Sequence, residues 1–203
     1  MPSGDLQGLL ALLIILIPSA IFHEYAHGWL ADRLGDHTAR YAGRLSLNPK
    51  AHFDLWGTLL LPVMLYVFTN GQLIFGYPKP VPVNPYNLRD QKWGPALVSA
   101  VGPLSNLLIA VVVGMVVRFV GLNDGTIYLA YVALVNINLA VFNLLPIPPL
   151  DGSKILYAVL PDSSYRIQRF FDRYGIVMIL IFVFFLSNLI FPVVNFLFNL
   201  LVG

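Results

Sequence analysis

Four long apolar stretches in this 203-residue chain fix the environment in which it folds. They run over Leu6–Ala31, Ala96–Val120, Ile127–Leu145 and Tyr174–Leu201. About 20 helical residues cross the hydrocarbon core of a bilayer, which is roughly 30 Å thick. Only 11% of the residues are charged, whereas a soluble domain has about 25%. The sequence therefore predicts an all-α multi-pass membrane protein with four spans.

A fifth apolar run, residues 55–68, is short for a span and leads into a segment that cannot be helical. Pro78, Pro80 and Pro82 alternate in that segment and favour an extended, polyproline-like path. Residues 55–68 could therefore cross the membrane completely. Alternatively, they could enter it and return to the same side through the extended segment.

The distribution of basic residues favours the re-entrant alternative. Every Lys and Arg except Arg118 lies in one of three loops, 32–54, 79–93 and 151–173. A re-entrant 55–68 puts all three loops on one face, which should be cytoplasmic by the positive-inside rule. We therefore expect a re-entrant helix–extended-strand hairpin over about 55–84. It should pack beside the functional cavity, because extended backbone at membrane depth must be covered by protein or water.

No internal repeat or low-complexity linker divides the chain, so residues 1–203 are expected to form a single membrane-embedded domain. The N-terminus has no basic region of the kind that precedes a cleaved signal peptide. The net charge of +2 is too small to indicate nucleic-acid binding. We expect the protein in the cell membrane, in contact with lipid.

The first apolar stretch carries three ionisable residues within five positions, in "HEYAH" (23–27). On a helix, His23 and His27 face the same side because they lie four residues apart. Glu24, the one glutamate of the chain, stands beside the first. In this H-E-x-x-H pattern two histidines bind Zn²⁺ and the glutamate is the general base of hydrolysis. A chance match would leave three groups that each cost about 2.5–3.5 kcal/mol inside a spanning helix.

A catalytic zinc takes three protein ligands and keeps one position open for water. The chain has no cysteine, so the candidates for the third ligand are His37, His52 and an aspartate. Asp151 is the best of them, because prolines before it break the helix and can re-aim the chain toward the membrane. Its alternative role is to cap a short helix over 152–160. Spacing alone does not decide between the two.

Four further polar residues have two interpretations each. Asn106 and Asn143 carry amides on apolar helices, and they could donate to an oxyanion or make ordinary interhelical hydrogen bonds. His52 and Asp54 could orient a ligand, act as a gate or, for His52, supply a fourth ligand. Otherwise they belong to the start of an interfacial helix, with Asp54 near its N-terminus. His37 is expected to be a solvated loop residue.

Two motifs together carry a resemblance to a known family. "HEYAH", followed by "NLLPIPPLDG" (143–152) after a later helix, resembles the site-2 protease family of intramembrane zinc metalloproteases. "VGPLSN" (101–106) is similar to an element in that family's intervening core helix. "LSLNPKAHFDLWGT" (45–58) resembles a compact prokaryotic subgroup without appended domains. The resemblance covers nearly the whole chain.

The resemblance implies a site-2 protease-like transmembrane core and one Zn²⁺ per chain, held by His23, His27 and Asp151. It implies that Glu24 activates water and that a transmembrane protein substrate is cleaved within or near the bilayer, as in regulated intramembrane proteolysis. The predicted topology places the active site toward the cytoplasmic side.

Two functional alternatives accompany this expectation. The extended strand, 72–84, could hold an unwound substrate by β-addition, or it could be a structural plug or an interfacial loop. A non-proteolytic membrane zinc-binding or transport protein is the competing class. A transporter would show several ligand clusters or inverted repeats, whereas this chain has one compact cluster and no repeat.

Overall fold

The computed structural model describes residues 6–68 and 78–203, in which helices are joined by short loops. The α-helices of these residues are α1 Leu6–Arg33, α2 Thr38–Tyr41, α3 Pro49–His52, α4 Leu61–Phe68, α5 Trp93–Val120, α6 Ile127–Asn143, α7 Asp151–Val159, α8 Tyr165–Ile181 and α9 Ile190–Val202. Short π-helical or 3₁₀ turns cover Leu55–Leu60, Pro85–Asn87, Asp162–Ser164, Phe182–Leu186 and Ser187–Leu189. No β-strand occurs in the described residues, and the predicted all-α fold class is confirmed.

Two of these helices are long and apolar enough to cross a bilayer by themselves. They are α1, over Leu10–Arg33, and the 28-residue α5. The predicted span 127–145 corresponds to α6, whose 17 residues are apolar but extend only about 25 Å. The chain is therefore a membrane protein with apolar spanning helices, while the number of four spans stays a prediction.

The last predicted span, 174–201, is interrupted. The helices on either side of the break, Tyr165–Leu186 and Ile190–Val202, are bent by 73°. Pro192 lies in the first turn of α9, where a missing N–H is tolerated. In a continuous helix the same ring would clash with the Asn188 carbonyl and remove one hydrogen bond. The proline thus explains why the helix restarts just before it.

The central element is α5, which packs against α1, α6, α7 and α9. Small residues bring the helices close: Ala110 is fully buried and packs with Ile137 and Val194. A Cβ atom at Gly114 would lie 2.9 Å from Leu201 of α9. Close approach between small residues is how helices associate in lipid, where burial of apolar surface gives little driving force.

The end of α3 lies beside the start of the proline-rich segment. The Lys79 N–H donates to the His52 carbonyl at 2.8 Å. Residues 69–77, which include positions 72–77 of the predicted strand, lie outside the described residues. The remainder, residues 78–84, forms neither helix nor strand in the described part of the chain, and its alternating prolines favour an extended path. The re-entrant hairpin therefore stays a prediction, with which the contact between Lys79 and His52 is compatible.

Candidate metal centre

Three side-chain atoms meet where α1 faces the start of α7. The His23 and His27 Nε2 atoms are 3.0 Å apart. They lie 3.1 Å and 3.2 Å from one carboxylate oxygen of Asp151. All three residues are buried. The structure thus brings together the two histidines of the H-E-x-x-H pattern and an aspartate 128 positions after the first of them.

The outer nitrogen of each imidazole is held by an oxygen atom on α5. His23 Nδ1–H donates to the Asn106 side-chain oxygen at 2.7 Å. His27 Nδ1–H donates to the Val98 carbonyl at 2.6 Å. These oxygens can only accept, so they place the ring protons on Nδ1. Both Nε2 lone pairs are left facing Asp151, which is the arrangement that metal-binding histidines use.

Asn106 is itself fixed by a buried polar network. Its amide N–H groups donate to the Ser19 carbonyl at 3.2 Å and to the Asn136 side-chain oxygen at 2.8 Å. The Asn136 amide in turn donates to the Ser19 hydroxyl at 2.9 Å. Asn106 must therefore turn its oxygen toward His23. Since both N–H groups are engaged, this arrangement supports an orienting role for Asn106 rather than donation to an oxyanion.

Asp151 is the first residue of α7 and does not cap it. The residue before the helix is Leu150, and no side chain caps the N-terminus. A Cβ atom at Gly152 would lie 2.2 Å from the Leu144 carbonyl oxygen, so only glycine allows α7 to start this close to the end of α6. This close packing aims Asp151 at the histidines.

Gly102 allows α5 to lie directly behind the two imidazoles. A Cβ atom there would be 2.4 Å from the His27 ring and 2.8 Å from the His23 ring. Any side chain at this position would have to displace one of the rings. The "VGPLSN" element therefore serves the site twice, through Gly102 and through Asn106.

The three atoms fit a tetrahedral zinc ion. Two imidazole lone pairs and a carboxylate oxygen, all acceptors, lie within 3.0–3.2 Å of one another, and they repel unless positive charge lies between them. Zinc–nitrogen bonds of about 2.0–2.1 Å at tetrahedral angles separate ligand atoms by about 3.3 Å. Two histidines and one carboxylate also leave the fourth position that a catalytic zinc needs.

Glu24 lies next to these ligands but is not one of them. Its side chain is half-buried, and its Oε2 accepts a hydrogen bond from the Val81 backbone N–H at 2.8 Å. In the described part of the chain no hydrogen bond engages the other carboxylate oxygen, Oε1.

The remaining predicted histidines have partners away from this centre. His52 is 1% exposed, and its Nε2–H donates to the Ser46 carbonyl at 2.6 Å. His37 Nδ1–H donates to Asp32 at 2.8 Å, and the His37 side chain is 46% exposed. In the described part of the chain neither residue belongs to the metal-binding group, and the exposure of His37 agrees with the loop position expected for it.

Asp54 and Asn143 bond within their own segments. The Asp54 carboxylate accepts from the Gly57 N–H at 2.7 Å and caps the following π-helical turn, which matches the interpretation as a helix start. The Asn143 amide donates to the Leu139 carbonyl at 2.9 Å. Among the described contacts neither side chain bonds a residue of the metal-binding group, so their predicted functional roles stay predictions.

Sequence reasoning missed part of the supporting network. Asn136 is an amide on an apolar helix, so the argument that selected Asn106 and Asn143 applies to it equally. The sequence could not indicate the Val98 carbonyl, because every helix residue has a carbonyl. It could not indicate Ser19 either, because serine is common in spanning helices. Their roles come from the packing of α5 on α1.

Comparison with known proteins gives related chains. The model of "Peptidase family M50" matches residues 122–187. "Putative zinc metalloprotease YwhC" of Bacillus subtilis is 35% identical over 183 residues, which are 84% of this chain and 78% of that protein. Two proteins named "Putative zinc metalloprotease Rip2" match 80% of this chain, at 28% identity in Mycolicibacterium smegmatis and 31% in Mycobacterium tuberculosis. The chain covers 62% of each Rip2 protein. No solved structure matches it.

Proposed function

This chain belongs to peptidase family M50, the site-2 protease family, and from that premise we propose that it is an intramembrane zinc metalloprotease. It hydrolyses peptide bonds of transmembrane protein substrates within or near the bilayer. The observation that carries the proposal is the convergence of His23, His27 and Asp151 beside Glu24. The printed names of these relatives, "Putative zinc metalloprotease" in each case, support the same chemistry.

In this proposal His23, His27 and Asp151 hold one zinc ion per chain. When bound, the metal polarises the scissile carbonyl and makes water acidic enough to react near neutral pH. Glu24 takes the proton of the attacking water and passes it to the leaving amine. Asn106 keeps His23 in the tautomer that can bind the metal. Asn143 remains the candidate donor to the developing oxyanion.

The position of the ligands along α1 supports a substrate within the membrane. His27 precedes Arg33, the last residue of the helix, by six positions, or about 9 Å of helix rise. The loop after Arg33 carries Arg40, Arg44 and Lys50, which the positive-inside rule places in the cytoplasm. The active site is thus proposed at membrane depth, toward the cytoplasmic side, where water can reach it.

The first test compares the wild type with Glu24→Gln. Both proteins, purified in detergent, should bind about one zinc ion, because Glu24 is not a ligand. Only the wild type should cleave a panel of single-span membrane peptides. Asp151→Asn should lose zinc as well as cleavage, whereas Asp124→Asn, in an exposed loop, should keep both.

Three results would count against the proposal. A wild type without zinc would refute the metal site. A Glu24→Gln protein that cleaves as fast as the wild type would remove Glu24 from the reaction. A wild type that binds zinc and cleaves no membrane peptide would favour the zinc-transport alternative.

A further inference from the structure

Glu24 is held by the main chain of the extended segment, residues 78–84. We propose that the Val81 backbone N–H is the group that positions the Glu24 carboxylate for proton transfer, so that the extended segment is a positioning element of the active site. This inference rests on the proposed function of Glu24. It adds a group that neither the H-E-x-x-H pattern nor the metal ligands contain.

The contact is supported by packing on the same face of α1. Val81 is 7% exposed, and its N–H lies 2.8 Å from Glu24 Oε2. Gly28, four residues after Glu24 and therefore one turn further along the same face, makes room for the Val81 side chain. A Cβ atom at Gly28 would lie 2.9 Å from Val81 Cγ1. Val81 is thus seated over Glu24 and Gly28.

The alternating prolines decide which edge of the extended segment carries N–H groups. In an extended chain the N–H groups of alternate residues point the same way. Prolines at 78, 80 and 82 leave one edge without a donor until Asn84. On the other edge Lys79 donates to the His52 carbonyl and Val81 donates to Glu24. The Lys79 and Val81 donors therefore both face the protein.

This pattern weakens the predicted β-addition for residues 78–84. A substrate strand needs both donors and acceptors along the edge that it joins. The proline edge keeps a single donor, the Asn84 N–H, and Asp36 already accepts from it. Substrate pairing therefore remains a prediction for residues 72–77, which lie outside the described residues. The described part of the segment is suited to hold Glu24 rather than a substrate.

The segment is anchored at both ends, so the Val81 N–H is in place before a substrate arrives. At one end lies the bond between Lys79 and His52. At the other end the Asn84 N–H donates to the Asp36 carboxylate at 2.6 Å. A donor fixed in advance needs no rearrangement during the reaction, which is the property that makes preorganised groups effective. With Oε2 engaged by Val81, Oε1 is the oxygen left to take the proton.

The kinetic test replaces the donor and keeps the extended path. Val81→Pro removes the N–H in a segment that already alternates prolines. Its controls are Val81→Ala, which shortens the side chain but keeps the N–H, and Val83→Pro, which removes the next N–H on the same edge. We expect kcat of Val81→Pro to fall roughly 10–100-fold, the cost of a small misplacement of a catalytic group. KM and zinc content should be unchanged. Val81→Ala and Val83→Pro, which both keep the Val81 N–H, should each lose less kcat than Val81→Pro.

A spectroscopic test does not depend on activity. Glu24 is the one glutamate of the chain, so ¹³C-labelled glutamate introduced by cell-free synthesis gives a single side-chain carboxylate signal. In the metal-free protein, the infrared carboxylate band should shift in Val81→Pro and stay at the wild-type position in both controls, because its frequency responds to hydrogen bonding.

The outcomes separate the inference from the function on which it rests. If Val81→Pro and Val83→Pro have the same band position and the same kcat, the inference is overturned and the protease assignment stands. If the wild type and all variants fail to cleave, the proposed function is overturned and the inference goes with it. A band shift confined to Val81→Pro, together with a larger loss of kcat in Val81→Pro than in either control, supports both.

Discussion

At the scale of single residues, the candidate metal centre depends on the groups that accept hydrogen bonds from the Nδ1–H of His23 and of His27. His27 is held by a main-chain carbonyl, that of Val98, which substitution cannot remove. His23 is held by the Asn106 side chain, which substitution can remove. Asn106 is therefore the residue at which the contribution of an orienting hydrogen bond can be measured without touching a ligand.

We expect Asn106→Ala to weaken zinc binding about 10–100-fold, the usual effect of losing such a partner. Without the acceptor, the His23 proton is free to move to Nε2 and the ring is free to turn. Zinc affinity can be measured by titration against a competing chelator.

Asn138→Ala is the matched control for Asn106→Ala. Asn138 lies in α6 and is exposed, and among the described residues it bonds only the Leu134 carbonyl of its own helix, at 2.8 Å. Its zinc affinity should equal that of the wild type. Equal affinities in Asn106→Ala and Asn138→Ala would show that Asn106 does not orient His23.

At the scale of elements, the loop after α1 holds the extended segment through one aspartate. Asp36 is fully buried. It accepts from the Thr38 N–H at 3.1 Å, the Asn87 amide at 3.0 Å and the Asn84 N–H at 2.6 Å. Burial alone would raise the pKa of Asp36. The hydrogen bonds from Thr38, Asn87 and Asn84 outweigh it and hold that pKa below its ordinary value.

This aspartate should make stability depend on pH. Because its pKa is lower in the folded state than in the unfolded state, the carboxylate stabilises the fold above about pH 4. That contribution is lost as the pH falls through the folded-state pKa. Near pH 7, Asp36→Ala should lower the free energy of unfolding by about 1.5–3 kcal/mol, the range for hydrogen bonds to a charged group.

The measurement is unfolding in detergent at pH 7 and at pH 3, with Asp124→Asn as the exposed control. The difference between the wild type and Asp36→Ala should shrink at the lower pH. A difference that stays constant between the two pH values would mean that the charge of Asp36 does not contribute to the attachment of the extended segment.

At the scale of the whole molecule, the basic loops and the spanning helices together predict the topology. Arg33 ends α1, and α5 begins soon after the return of the chain at Lys79. If the chain between them is re-entrant, both helices have these ends on the same side. The loop between α5 and α6, around Asp124, then lies on the opposite side.

The absence of cysteine makes this topology simple to test, since single cysteines need no background removal. Cysteines at Ala42, Gln91, Asp124 and Ser163, all exposed, can be labelled with a membrane-impermeant maleimide in whole cells and in inverted vesicles. Positions 42, 91 and 163 should react from the cytoplasmic side and position 124 from the other. Opposite sides for 42 and 91 would mean that residues 55–68 cross the membrane completely.

The sequence by itself determined what depends on neighbours along the chain. The apolar stretches predicted a helical membrane protein, which the fold and the family confirm. Helical periodicity put His23 and His27 on one face because a separation of four residues is one turn. The prolines predicted an extended path after Tyr77, because a proline restricts its own backbone and that of the residue before it.

Only the tertiary structure decided what depends on contacts between distant segments. Asp151 was one candidate among several until the packing of α7 against the end of α6 turned it toward α1. The same packing assigned Asn106 to His23 and the Val81 N–H to Glu24, and it gave His52 a partner elsewhere. A residue's type states which bonds it can make, but the fold alone fixes which partner lies within 3 Å of it.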